Sequence, residues 1–381
     1  MAGRILIHGG RLLDGEQAVD VLADGGTITA IGAGLSQADC ERVIDARGRL
    51  VSPGYVDVHI QGAGGADVLD ATPQALETIS RTCARFGVTA FLATTVYKAG
   101  RDNRHLRIAA ECVGQDLGGA RLLGIHLEGP FIASGKRGMI QPDCLCRAEP
   151  EVLDEILTAT RRTLRMMTIA PELDGALDTI RRLEEAGVVA SFGHSTADYE
   201  QTLAGIDAGL SHVTHLFNAM VGIHHRTPGP FAAICERRHV TCQLISDGVH
   251  VHPAIVRMVW RLLGAGRIVA ITDAMQAMGL PDGKYVYNSL EYESRAGAAR
   301  YADGTLIGTA VGLSEIVARL VRFTGCTAAE AVHGVTAGAA RLLGLDGDGT
   351  LGVGRAADIV LLNEDLTVAM TMVGGRIVYE R

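Results

Sequence analysis

Between residues 53 and 345 the sequence alternates, eight times over, between a short apolar run and a stretch of helical spacing. The runs fall at residues 56–59, 90–95, 122–128, 166–170, 188–194, 212–215, 241–247 and 268–273, with helical stretches such as 73–86, 149–162 and 176–186 between them. A strand that is apolar throughout is buried on both faces, and a helix between two such strands makes them parallel neighbours. Eight β-then-α units close the sheet on itself, so the expected fold is a (β/α)8 TIM-like barrel. A chain of 381 residues has length left over for an accessory unit.

That unit is expected from the two ends of the chain. Ile5-Leu6-Ile7 runs into Gly9-Gly10, residues 19–22 run into Asp24-Gly25-Gly26, and residues 359–362 and 368–372 lead to Gly374-Gly375. These are strands separated by tight turns. Neither piece carries enough apolar surface to fold alone, so residues 1–52 and 346–381 are expected to join as one small β-sandwich beside a barrel at 53–345. A net charge of −8 argues against nucleic acid or an anionic membrane surface as a partner. No apolar run approaches the ~20 residues that span a bilayer. The opening MAGRILIHGG lacks the apolar centre of a signal peptide, and eight scattered cysteines include no CxxC pair. Both features fit reduced thiols in a cytoplasmic protein.

In such barrels the chemistry sits at the C-terminal ends of the strands. Read in order, those ends are His59, Thr95, Glu128, Glu172 just past a proline, His194, His215, Asp247 and Asp273. One histidine would be a packing residue. Several histidines and carboxylates converging on one rim mark a site, here in the contexts VDVHIQG, HLEGPF, FGHST, VTHLFNAM and ITDAM. Glu128, His194 and His215 offer one carboxylate and two imidazoles, a set that suits Zn²⁺ or Fe²⁺ with one position open to water. Such an ion brings the pKa of water towards ~7 and polarises a carbonyl. Asp273 is then the expected general base, passing the water's proton to the leaving group. His126 alternates with Glu128 on one strand face, which places it near the ligands. Gly62, Gly64 and Gly65 lack the Lys-Ser/Thr ending of a phosphate loop and are expected to form a tight turn.

Across most of its length the chain resembles the N-acetylglucosamine-6-phosphate deacetylases of the amidohydrolase superfamily. The segments that carry the resemblance are SPGYVDVHIQGAGG, GIHLEGPF, SFGHSTADYEQ, VTHLFNAMVGIHHRTPG, ISDGVHV, ITDAM, YADGTLIGT and TLGVGRAADIVLL. The resemblance implies hydrolysis of a 2-acetamido group on a phosphorylated amino sugar, and a homodimer. It assigns Glu128, His194 and His215 to a single metal and Asp273 to catalysis. It further implies His250 at the substrate, Asn218 and Ala219 in a loop that meets the phosphate, and Arg226 binding that phosphate across the dimer interface.

Two departures from the family pattern stand out. Two-metal relatives carry His-x-His after the first strand, where this chain reads His59-Ile60-Gln61, and an amide is a poor Zn²⁺ ligand beside an imidazole. The fourth strand ends Ala170-Pro171-Glu172, without the lysine that bridges two metals. One divalent ion per chain is therefore expected, with His59 and Gln61 lining a second position or bonding its water. In KRGMIQP, Ile140 stands where some relatives have a substrate-contacting histidine, which leaves Gln141 as the neighbouring polar candidate. The alternatives are a deacetylase of N-acetylgalactosamine 6-phosphate or of another N-acyl substrate, and a scaffold that has lost its metal. Retention of all four central residues argues against the last.

Overall fold

The strand Val88–Thr95 is buried at all eight positions, and Tyr55–Ile60 at all six, as strands covered on both faces must be. The structure, a computed structural model, describes residues 3–345, 347 and 349–381; Met1, Ala2 and Asp346, where the two end pieces were expected to begin, and Asp348 lie outside the described residues. Eight strands pair in sequence order and all in parallel: Tyr55–Ile60, Val88–Thr95, Arg121–Glu128, Leu164–Ile169, Val189–Phe192, His212–Val213, Thr241–Leu244 and Ile268–Ala270. The sheet closes just past its last strand. Ile60 bridges Ala274, the Asp273 N–H donates to the His59 carbonyl at 3.0 Å, and the Gln61 N–H donates to the Ala274 carbonyl at 2.9 Å. The expected barrel is the observed one.

The helix Pro73–Ala84 shows how the outer layer is specified. The Thr72 hydroxyl accepts the Ala75 N–H at 3.2 Å and proline occupies the first turn, both strong start signals. Leu76, Ile79 and Cys83 recur at helical spacing and are buried in the barrel's main core.

The chain ends meet in one mixed sheet. Leu50–Pro53 runs antiparallel to Ile359–Leu362, with Val51 opposite Leu361. Ile5–Leu12, Ala18–Asp24 and Thr27–Gly32 extend the sheet on one side, and Val368–Val373 and Arg376–Glu380 on the other. Ile7, Val21, Ile28, Ile359 and Met372 form its separate core. It is fastened to the barrel by the two-pronged Arg121–Asp358 pair and by the Thr371 hydroxyl, which donates to the Ala84 carbonyl at 2.8 Å.

An element not expected from the sequence follows the last barrel strand. Gly283–Tyr287, Leu290–Arg295, Ala298–Tyr301 and Leu306–Thr309 form a four-stranded antiparallel sheet. Its inner face, with Tyr287, Tyr292 and Ile307, packs on Ile132, Met139, Ile140 and Met275. Among the described residues no helix is long and apolar enough to cross a membrane.

Candidate active site

His194, His215 and Asp273 each sit two or three residues past the end of a barrel strand, and each adopts a left-handed backbone, with φ of 50°, 27° and 50°. For residues with a Cβ this costs roughly 1–3 kcal/mol, and it persists only where the surroundings hold it. Here they do. The His194 carbonyl accepts the Ala133 N–H at 2.9 Å, the His215 N–H donates to Gln243 Oε1 at 3.2 Å, and the Asp273 carbonyl accepts the Thr309 N–H at 2.8 Å. Glu172 holds the His194 turn from below, accepting the Ser195 hydroxyl at 2.6 Å and the Thr196 hydroxyl at 2.9 Å.

These turns bring three donors together. Glu128 Oε1, His194 Nε2 and His215 Nε2 form a triangle with every side 3.0 Å, buried throughout. The donors of a tetrahedral ion with ~2.0–2.2 Å bonds stand about 3.3–3.6 Å apart, so the triangle is only slightly tight for one. The hydrogen bonds give a second indication. His194 Nδ1 donates to the Lys136 carbonyl at 2.7 Å, so a neutral His194 turns the Nε2 lone pair towards the carboxylate and the other imidazole. Facing lone pairs need a cation between them. The residues therefore fit a divalent metal.

Around the triangle lies a ring of coupled groups. His59 Nδ1 donates to Gln243 Oε1 at 2.9 Å, while its Nε2 stands 3.2 Å from Asp273 Oδ1 and 3.6 Å from Glu128 Oε1. Burial penalises the charged ring, but the Asp273 and Glu128 carboxylates prevail and push the His59 pKa up to about 9. Burial also opposes ionisation of Glu128, and His59, His194 and His215 together hold its pKa well below the usual carboxylate range. For His215 burial wins and the pKa falls. His126 does not reach the ligands. Its Nδ1 donates to the Val58 carbonyl at 3.1 Å and its Nε2 lies 2.9 Å from the Thr168 hydroxyl, inside the barrel.

A cavity of about 290 Å³ opens above the triangle. Glu128, His194, His215, Asp273, Asn218, Ala219 and His250 line it together with Lys136, Met139, Leu306 and Ile307. The last four were not singled out from the sequence. Lys136 anchors His194 through its main-chain carbonyl, which leaves no side-chain signature. His59 and Gln61 lie against the ligands but are not among the cavity's lining residues. Gln141 is also off the cavity wall, its amide donating to the Met139 carbonyl at 3.1 Å. Arg226 is exposed on a loop, its Nη1 2.7 Å from His225 Nε2. Gly62, Gly64 and Gly65 form a small hairpin turn, Gly62–Ala63 against Ala66–Asp67. A larger cavity, about 700 Å³, lies where the end sheet meets residues 114–121 and shares no residue with the site. Among its charged wall residues, Arg376 pairs with Asp116 and Arg42 with Glu380.

Residues 50–378 match the amidohydrolase family. Among curated relatives, the N-acetylgalactosamine-6-phosphate deacetylase of Escherichia coli O157:H7 is 37% identical over 99% of this chain and 98% of its own length. The N-acetylglucosamine-6-phosphate deacetylase of Vibrio furnissii is 35% identical over 97% of this chain and 94% of its own. Among solved structures, a mutant N-acetyl-D-glucosamine-6-phosphate deacetylase from Mycobacterium smegmatis, in complex with N-acetyl-D-glucosamine 6-phosphate, superposes with a TM-score of 0.92 at 36% identity, covering 99% of both chains.

Proposed function

Because the chain belongs to the amidohydrolase family, we propose that it hydrolyses the acetamido group of N-acetylglucosamine 6-phosphate to glucosamine 6-phosphate and acetate. The observation that carries this reading is the convergence of Glu128, His194, His215 and Asp273 on one cavity of about 290 Å³. That volume is at the small end of ligand cavities (~300–1,000 Å³) and suits a single sugar rather than a polymer.

Glu128, His194 and His215 are the proposed ligands of one Zn²⁺ per chain, which when bound supplies Lewis acidity and activates water. Asp273 is the proposed general base and acid. Its Oδ1 is engaged by Gln61 Nε2 at 3.1 Å and by His59, while Oδ2 takes no hydrogen bond among the described residues. Oδ2 is therefore the oxygen that accepts a proton from water and delivers it to the departing amine nitrogen. Gln61 and His59 hold the carboxylate still during both transfers.

Asn218 and Ala219 line the cavity and are the proposed contacts of the substrate's phosphate, with His250 at the sugar; Gln141, though off the cavity wall, is proposed as a further substrate contact. Arg226 is the proposed phosphate cation of the neighbouring site in a homodimer. The exposed Ile223 beside it, 55% accessible, supports an interface there. The proposed division of the chain is 1–52 plus 346–381 and 53–345. None of the eight cysteines is in a disulfide, which supports a cytoplasmic setting.

A second reading, deacetylation of N-acetylgalactosamine 6-phosphate, is favoured by the relative from Escherichia coli O157:H7. The two sugars differ only in the configuration of one hydroxyl. Measuring kcat/KM on both hexosamine phosphates, with metal content on the same sample, ranks the two readings. Release of acetate from neither would overturn both.

A further inference from the structure

The segment Ser246-Asp247-Gly248-Val249-His250 follows the strand Thr241–Leu244 and turns sharply at Gly248, whose φ is 81°. The turn points two backbone N–H groups back at one oxygen: Val249 and His250 each donate to Asp247 Oδ1 at 2.8 Å. The other oxygen, Oδ2, lies 2.7 Å from His250 Nδ1. Both side chains are almost wholly buried, with 1% of Asp247 and 4% of His250 accessible. The segment is also clamped from the outer layer. The Ser246 hydroxyl donates to the Ile316 carbonyl at 2.8 Å, and Arg319 Nη1 to the Asp247 carbonyl at 2.9 Å.

A carboxylate with three donors on it has no spare role in proton transfer. Burial alone would raise the Asp247 pKa, but the His250 bond and charge and the two N–H groups hold it below the ordinary range. An ionised carboxylate only accepts, so His250 Nδ1 carries a proton. In the neutral imidazole Nε2 then presents a lone pair. Among the described residues Nε2 takes no hydrogen bond, and His250 lines the cavity beside Asp273 and His215. The unprotonated oxygens of a phosphate also present lone pairs and do not pair with this nitrogen, whereas a sugar hydroxyl donates to it.

We propose that Asp247 is a positioning residue that fixes His250 as a hydrogen-bond acceptor for a substrate hydroxyl, so that His250 reads the sugar ring and not the phosphate. The identity of the substrate rests on the deacetylase reading above; the state of the ring does not. The first test therefore needs no turnover. In enzyme labelled with ¹⁵N-histidine, the His250 signals, assigned by their loss in His250→Gln, should show a protonated Nδ1 and an unprotonated Nε2 near neutral pH. In Asp247→Asn the side-chain amide can donate to Nδ1, and the proton should move to Nε2. Two protonated nitrogens in the wild type, or ring signals unchanged by Asp247→Asn, would overturn the proposal.

The second test uses N-acetylglucosamine 6-phosphate and its 1-deoxy, 3-deoxy and 4-deoxy analogues, which between them remove each free hydroxyl. Asp247→Asn should lower kcat/KM on the parent about tenfold, the scale of one hydrogen bond to a well-placed group. Metal content and Tm should be unchanged, and Asp247→Glu should restore part of the activity. The loss should vanish on whichever analogue lacks the hydroxyl, and in a His250→Ala background. Equal losses on the parent and all three analogues would overturn the assignment to a hydroxyl. Absence of any turnover by the wild type would count against the deacetylase reading and leave the ring measurement to decide the role of Asp247.

Discussion

Gln61 Nε2 stands 3.1 Å from Asp273 Oδ1, and the same nitrogen is 3.3 Å from Glu128 Oε2. An amide donor thus sits between the two carboxylates of the site, where a second cation would otherwise balance their charge. Glu172, at the end of the fourth strand, is committed to Ser195 and Thr196 and offers nothing to a second ion. One equivalent of tightly bound transition metal per chain is the expected result of metal analysis after dialysis. In Gln61→His an imidazole replaces the amide, and a second equivalent should bind. Two equivalents retained by the wild type at full occupancy would contradict this account.

Asp273 shares its Oδ1 with Gln61 and His59, while its Oδ2 takes no hydrogen bond among the described residues. Asp273→Asn preserves an acceptor for Gln61 but cannot take a proton. Fold and metal content should survive, while kcat drops by ~10²–10⁴-fold, the usual cost of losing a general acid–base group. The check is single-substrate kinetics beside a melting curve. A variant with a tenth or more of wild-type kcat would take Asp273 out of the mechanism.

His105 gives the protein an acid-sensitive point outside the candidate site. The ring is buried, with Nε2 2.8 Å from the Val96 carbonyl. Burial drives its pKa down from 6.5 to about 4; the Val96 bond opposes this in part, and Lys98 and Arg107 add to the fall. Between those two values the unfolded chain binds a proton that the native ring refuses. Stability present above pH 6.5 is therefore lost as the pH falls towards 4, by ~3 kcal/mol. His105→Gln keeps a donor for Val96 and cannot titrate, so its urea unfolding free energy should fall less steeply between pH 7 and pH 4. Identical slopes in the two proteins would rule out this role.

The parts of the fold that were legible in the sequence share one property: their signal is local. The barrel strands are apolar on both faces, so Val88–Thr95 and Tyr55–Ile60 stand out as unbroken runs, each followed by helical spacing. The polar residue ending a run marks the rim, which is why Glu128, His194, His215 and Asp273 could be named together. The four-stranded sheet at 283–309 was not legible. Its hairpin turns at Asn288 and Ser289, with φ of 45° and 68°, and lacks the glycine that usually marks such a turn. Its inner face packs on Ile132, Met139 and Ile140, loop residues that carry no periodicity. In the site, the carbonyl of Lys136 orients His194, and main-chain groups belong to every residue alike. Gln141 and Arg226 were named by motif position, and where a motif's side chain points depends on contacts that the motif does not contain.

Arg226 carries the charge argument for a phosphorylated substrate. It is exposed, its nearest polar neighbour is His225, and it does not line the cavity of its own chain. A guanidinium placed there by a second subunit forms charge-assisted bonds to phosphate, about twice as strong as neutral ones. Arg226→Ala should therefore cost ~1.5–3 kcal/mol in kcat/KM on the 6-phosphate, leave Tm unchanged, and matter far less for the sugar without phosphate. A mixture separates the two geometries. Arg226→Ala chains lack the proposed phosphate cation and Asp273→Asn chains the proposed base, so in the proposed dimer either variant alone is defective at both sites. If the arginine acts across the interface, a mixed dimer regains one complete site, with Asp273 from one chain and Arg226 from the other. Subunit exchange should then restore about a quarter of wild-type activity. No gain on mixing, with exchange verified, would place Arg226 in its own chain's site or outside the reaction altogether, and equal losses of Arg226→Ala on both substrates would make it a structural residue.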